Sequence, residues 1–110
     1  MDNVLFTPEV LRYSENLVQI LYDNGYFGFP NSAKKYVKEL FDEITDRLPR
    51  CLHKPAPQHF EKYGKKMKYA AFRKSQNTIW YVFFETYRDN EEIIYLVRYI
   101  GNNHVIAQYL

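Results

Sequence analysis

The chain has one cysteine in 110 residues, Cys51, which excludes an internal disulfide and a four-cysteine zinc centre. A chain without disulfides suits a reducing compartment, so a cytoplasmic location is expected. No stretch approaches the ~20 apolar residues that span a bilayer. The opening MDNVLFTPEV also lacks the basic-then-apolar layout of a secretory leader, so no membrane association is expected. Charge of one sign is scarce too: fifteen Lys and Arg against thirteen Asp and Glu leave a formal +2. Such a balance does not by itself mark a binder of polyanions. G-x-S-x-G, a Walker loop, a dinucleotide fingerprint and H-E-x-x-H are all missing. Acids gather on the second helical segment and around Arg88–Glu92, which leaves no obvious carboxylate pair for acid–base work. With no repeats and no linker, residues 1–110 read as one domain, able to bury about two-thirds of its unfolded surface.

What the chain has in quantity is aromatic: eleven Tyr, eight Phe and one Trp. Tyrosine carries a large apolar body and a polar tip, so it suits half-buried sheet faces and interaction surfaces. Its ring can also stack on bases.

Periodicity orders the elements. Asn3 to Thr7 reads as a brief strand. Thr7-Pro8-Glu9 then supplies a hydroxyl cap, a proline at the first helical position and an acid in the first turn. Val10, Tyr13, Leu17, Ile20 and Leu21 recur at helical spacing until Asp23-Asn24-Gly25, where glycine provides a left-handed cap. After the aromatic connector YFGFP, a second helix is expected from Asn31 or Ser32, with Ala33, Tyr36, Val37, Leu40, Phe41, Ile44 and Leu48 on one stripe. Its lysines come first and its acids later, against the helix dipole, so tertiary packing must hold it. Pro49 ends it, and Arg50 to Lys62 reads as a loop. Three strands follow: Met67–Lys74, Thr78–Tyr87 and Glu92–Ile100. The middle one is apolar on both faces, as a central strand should be. In the last, alternation puts Ile94, Leu96, Arg98 and Ile100 on one side and Ile93, Tyr95, Val97 and Tyr99 on the other. Residues His104–Leu110 read as a helical turn or an extra edge segment. The expected fold is α+β, with two N-terminal helices on one face of a mostly antiparallel sheet (β-α-α-β-β-β) and a partly open, tyrosine-bearing second face.

Lys62, Lys65, Lys66, Lys68, Arg73 and Lys74 bracket the first meander strand. They can form a phosphate-binding patch, or a solubilising edge that blocks strand pairing. Arg98 stands where an apolar residue is the default, and it needs a carboxylate, solvent or an anionic ligand. His104, after a Gly-Asn turn, is suited to proton transfer near neutral pH, or is a simple turn residue. His53 and His59 share a loop but lack further ligands at a recognised spacing, so neither a metal nor another cofactor is expected.

The short strand, two helices, the glycine before a basic strand (YGKKMKY), the aromatic central strand (TIWYVFFETY) and the closing YLVRYIGNNH together resemble the RelE/ParE superfamily over essentially the whole chain. These are toxins of type II toxin–antitoxin systems. The resemblance implies a small cytoplasmic toxin wrapped by a cognate antitoxin. Members similar to RelE cleave mRNA on the ribosome without a metal, inhibiting translation. The ribose 2′-hydroxyl attacks the adjacent phosphate while basic residues neutralise the transition state. ParE-like members share the fold and poison DNA gyrase without being nucleases. An inactive relative would be a protein-binding module. Position by position, the resemblance implies RNA or phosphate contacts at Lys65, Lys66, Arg73 and Lys74. It implies catalytic roles for Lys68, Arg98, His104 and Tyr109. The chain departs from the pattern in the central strand, which reads Thr78-Ile79-Trp80-Tyr81 where an arginine is usual. Ala70 and Ala71 also fill positions that are often cationic.

Overall fold

A computed structural model describes residues 2–25 and 27–103. The elements are β1 (Asp2–Phe6), α1 (Pro8–Asp23), α2 (Pro30–Arg47), β2 (Lys54–Pro55), β3 (Lys68–Ser75), β4 (Thr78–Asp89) and β5 (Glu92–Asn102). Single 3-10 turns occupy Leu48–Arg50 and Gln58–Lys62. The sheet runs β1-β5-β4-β3-β2 and is antiparallel except for the β1–β5 pair. The α+β class read from the sequence holds, with one strand more than the β-α-α-β-β-β order. Lys54 and Pro55 pair with Tyr69 and Lys68, inside the stretch expected to be loop. Proline cannot donate to a ladder and is tolerated only at an edge, which is where β2 lies.

The helix ends follow their local chemistry. Thr7 is extended, and its Oγ1 accepts from the Val10 N–H at 3.3 Å, capping α1. At the other end Asn24 N–H donates to the Ile20 carbonyl, and Gly25 takes φ +76. The second helix starts one to two residues earlier than expected. Phe29 sits at its N-cap without a side-chain bond, and Pro30 opens the first turn. There a fixed φ helps and the missing N–H costs nothing. No helix among the described residues is long and apolar enough to cross a membrane.

The main core lies between the helices and one sheet face. From α2, Ala33, Val37, Leu40 and Ile44 are buried, followed by Leu48, against Ala70, Phe72, Trp80, Val82 and Phe84 of the sheet. The single tryptophan is saturated there, because Trp80 Nε1–H donates to the Tyr36 hydroxyl at 2.9 Å. From α1 only Val10, Leu17 and Leu21 are buried, whereas Ile20, expected on the core stripe, is 45% exposed.

One irregularity decides which side chains reach the second face. Phe83 pairs with Tyr99 but Phe84 pairs with Val97, so Arg98 is an extra residue in β5. A bulge reverses the facing of everything beyond it. Tyr95, Val97 and Ile100 therefore all join the helix-side core, and Tyr99 turns to the other face. The uninterrupted alternation expected for this strand is corrected at Tyr99 and Ile100. Material also covers part of the second face, the one expected to be partly open. The segment 56–67 folds across it and buries Phe60 and Met67 on Phe83.

Candidate functional site

The second sheet face is a tyrosine-rich floor under the 56–67 segment. Phe60 stacks on Phe83 with ring centroids 4.1 Å apart, and Tyr63 stacks on Tyr99 at 4.5 Å. Tyr69 leans on Phe83 at 5.4 Å and meets Tyr81 edge-on at 5.9 Å. Phe60 and Phe83 are fully buried, while Tyr63, Tyr69, Tyr81 and Tyr99 remain half-buried. Apolar anchors underneath thus hold partly accessible tyrosine rings above.

The cations read from the sequence divide between the two ends of this face. Lys65 and Lys66 lie exposed in the turn before β3, Lys66 in a left-handed conformation at φ 59. Lys68 opens β3, exposed, opposite Phe84 and hence beside the Arg98 bulge; alternating with Tyr69, it lies on the helix side with Ala70 and Phe72, so its expected catalytic place does not fall on the tyrosine face. Arg73 shares the tyrosine face but lies five residues along, about 17 Å at the strand rise. Its Nη1–H donates to the Gln76 carbonyl at 2.9 Å, closing the β3–β4 turn. Lys74 does not join the face. It occupies a bulge, points to the helix side and stands 3.9 Å from Glu43 of α2. Its expected phosphate contact is corrected to a partly buried ion pair.

Arg98 answers the question its position raises. Its Nε is 2.6 Å from Glu85 Oε1, an ion pair rather than a well-aligned hydrogen bond. The Tyr87 hydroxyl donates to the other oxygen of that carboxylate. Hydrogen bonding to Tyr87 leads the influences that raise the Arg98 pKa; burial opposes the shift and Glu85 adds to it. A protein carboxylate is thus the partner of Arg98, which makes Glu85 the residue the sequence reading overlooked. The signal was present, since Glu85 is the only acid in the apolar run TIWYVFFETY. His104 and Tyr109 lie outside the described residues. Asn103, which His104 follows, is fixed at the Arg73 end: its Oδ1 accepts from Ile79 N–H at 3.1 Å and its Nδ2 donates to the Asn77 carbonyl at 3.2 Å.

Compared with protein-family models, curated proteins and solved structures, the chain has no significant match in any of the three. The RelE/ParE resemblance therefore stands on the residues that carry it.

Neither loop histidine gathers ligands. His53 Nε2–H donates to the Leu48 carbonyl at 2.6 Å, with its ring edge-on to Phe84, and His59 meets Phe60 edge-on. Among the described residues no group of three or more His, Cys, Asp and Glu could hold a metal.

Gly64 seats the covering segment on the Arg98–Glu85 pair. A methyl group at this position would overlap Glu85 Oε1 and come within 3.1 Å of Arg98 Cδ. Because the Glu85 side chain is only 15% exposed and tied to Arg98, it cannot swing away freely. Gly64→Ala is expected to loosen the pair and lower stability by about 1–3 kcal/mol, the scale of an under-satisfied polar group. Urea midpoints measure this, and Glu85→Gln, which leaves less charge to displace, should make the added methyl cheaper.

Tyr13 of α1 stands on the other side of Arg98. Burial, then the nearby Tyr99, pushes its hydroxyl up to about 12 from an ordinary 10.0. With the folded pKa above the unfolded one, the unfolded chain loses this proton first. Stability is therefore retained below pH ~10 and falls as pH rises from there toward ~12. Tyr13→Phe should flatten that part of the fall, measured as urea midpoints at pH 9 and 11.

Proposed function

We propose that the chain is a RelE/ParE-like toxin of a type II toxin–antitoxin system. In this reading it acts in the cytoplasm on mRNA at the ribosome as a metal-independent endoribonuclease, and a cognate antitoxin restrains it. The observation that carries the reading is the tyrosine floor of Tyr63, Tyr69, Tyr81 and Tyr99 with cations at both ends, Lys65 and Lys66 at one and Arg73 at the other. Stacking rings beside a cationic track is how single-stranded nucleic acid is held without dependence on sequence.

The chemistry requires little else from the protein. A 2′-hydroxyl attacking the adjacent phosphate needs alignment and donors where charge develops, which lysine and arginine supply. Lys65, Lys66 and Arg73 are the cations available for that work. Proton transfer falls to His104 and Tyr109 by resemblance. Arg98 takes a different part: with Glu85 it fixes the covering segment and the bulge that turns Tyr99 onto the face.

The same neutralised Arg98 favours the second reading, a ParE-like inhibitor of DNA gyrase. It removes one cation from the face, and binding a protein target needs no phosphorane stabilisation. Inducible expression in a bacterial host separates the two. The first reading expects incorporation of labelled amino acids to collapse before DNA synthesis slows. The second expects trapped DNA breaks and an SOS response while translation continues. In either case a co-expressed antitoxin restores growth. Harmless expression would leave only the inactive, protein-binding alternative.

A further inference from the structure

A cavity of about 410 Å³ opens beside the tyrosine face, between α1 and the far half of β5. It lies where β1 has ended, since β1 pairs only with Ile93 to Val97. Tyr13, Tyr63 and Tyr99 contribute rings to its wall, Lys62 and Arg98 contribute cations, and Glu9 stands at its margin. Lys62 Nζ sits 5.3 Å from the Tyr63 ring centroid, so the ammonium is held against the aromatic wall. Glu85 already offsets the charge of Arg98, a side chain one-third exposed with further N–H donors, while Lys62 makes no ion pair among the described residues. The volume falls within the range of small-ligand pockets, and aromatic and apolar side chains together with convergent charged groups are their usual make-up.

The geometry points to this cavity as a binding site for one nucleotide, its base against Tyr13, Tyr63 and Tyr99 and its phosphate on Lys62 and Arg98. The inference rests on the RNA reading for its meaning, because the nucleotide would belong to the strand drawn across the neighbouring tyrosine face. The chemistry is specific to a nucleotide. A bare anion would gain little from three rings, and an uncharged aromatic would leave Lys62 unused. Glu9 works against the phosphate, so removing its charge should tighten binding.

The test uses AMP and the full chain without ribosomes, with binding followed by NMR shifts of backbone amides. AMP is expected to bind saturably, with the largest shifts at residues 61–64 and 98–100. Lys62→Ala should weaken it about fivefold, Tyr63→Ala about tenfold, the order of one lost stacking contact, and Glu9→Gln should strengthen it. Lys34→Ala, exposed on α2 and outside the cavity, should leave it unchanged. No saturable binding would overturn the site, as would shifts centred elsewhere, indifference to Lys62→Ala, or inorganic phosphate binding equally well. Lys62→Ala alters an exposed side chain, so it decides the matter even if Tyr63→Ala unfolds. The outcome is independent of cleavage in cells: AMP binding can fail while mRNA is cut, and intact mRNA would overturn the RNA reading with AMP still bound.

Discussion

Trp80→Ala is expected to cost about 3–5 kcal/mol, the range for truncating a large buried aromatic. Trp80 is 1% exposed on the central strand, packed under both helices, and its indole N–H is bonded to Tyr36. The substitution therefore opens a cavity and also strands the Tyr36 hydroxyl. A domain of this size holds about 5–15 kcal/mol in total, so the variant should be near the edge of folding at 37 °C. Circular dichroism in urea measures it, since the variant has no tryptophan. Tyr36→Phe separates the two contributions. It keeps the packing and leaves the buried indole unpaired, for an expected cost of about 1–3 kcal/mol. A Trp80→Ala loss below 1 kcal/mol would mean that the helix layer is not seated on this strand as described.

Phe60→Ala should have a comparable nominal cost, about 3–5 kcal/mol, but a different outcome. Phe60 is 1% exposed, yet it belongs to a segment held to the sheet largely by itself, Met67, the Tyr63–Tyr99 stack and the Gly64 contact. A region with so few buried anchors can release locally before the whole domain opens. Hydrogen exchange should accelerate in residues 57–66 while α2 and β4 keep their protection. Uncovering the face also removes Tyr63 from Tyr99, so growth arrest on expression should weaken even though the fold survives. Uniform loss of protection throughout the chain would show instead that the two cores are a single cooperative unit.

These two variants probe the two faces of one strand, and the faces were not equally legible in the sequence. The helix side could be read because its signals are local and periodic. Thr7-Pro8 caps α1, Gly25 ends it, and Ala33 to Ile44 repeat at helical spacing. The alternation of β4 placed Trp80, Val82 and Phe84 opposite Ile79, Tyr81 and Phe83. The second face depends on features with no period. Arg98 breaks alternation by one residue, and a bulge leaves no trace in a hydropathy pattern. The segment 56–67 docks through Phe60, Tyr63 and Met67, and most of it falls in or beside a stretch whose prolines make it read as loop. The pairing of Arg98 with Glu85 joins residues thirteen apart and depends on the register of the hairpin between them. Lys74 was misassigned for a similar reason, because the bulge beside it and the presence of Glu43 on α2 are both non-local.

The candidate site residues divide the same way. Lys65, Lys66 and Lys68 stand exposed as a basic strand entrance should. Arg73 is on the tyrosine face but at the opposite end, next to the turn held by Asn103. In the RNA reading proposed above, a phosphate track is long and crosses the tyrosines, rather than forming a single cluster at the entrance.

The most direct measurement is the mapping of mRNA 5′ ends after induced expression in growing cells. The account predicts new ends within translated reading frames. They should be lost in Arg73→Ala with Lys66→Ala, which removes a cation from each end of the face, and in His104→Ala. Growth arrest with intact mRNA would contradict it.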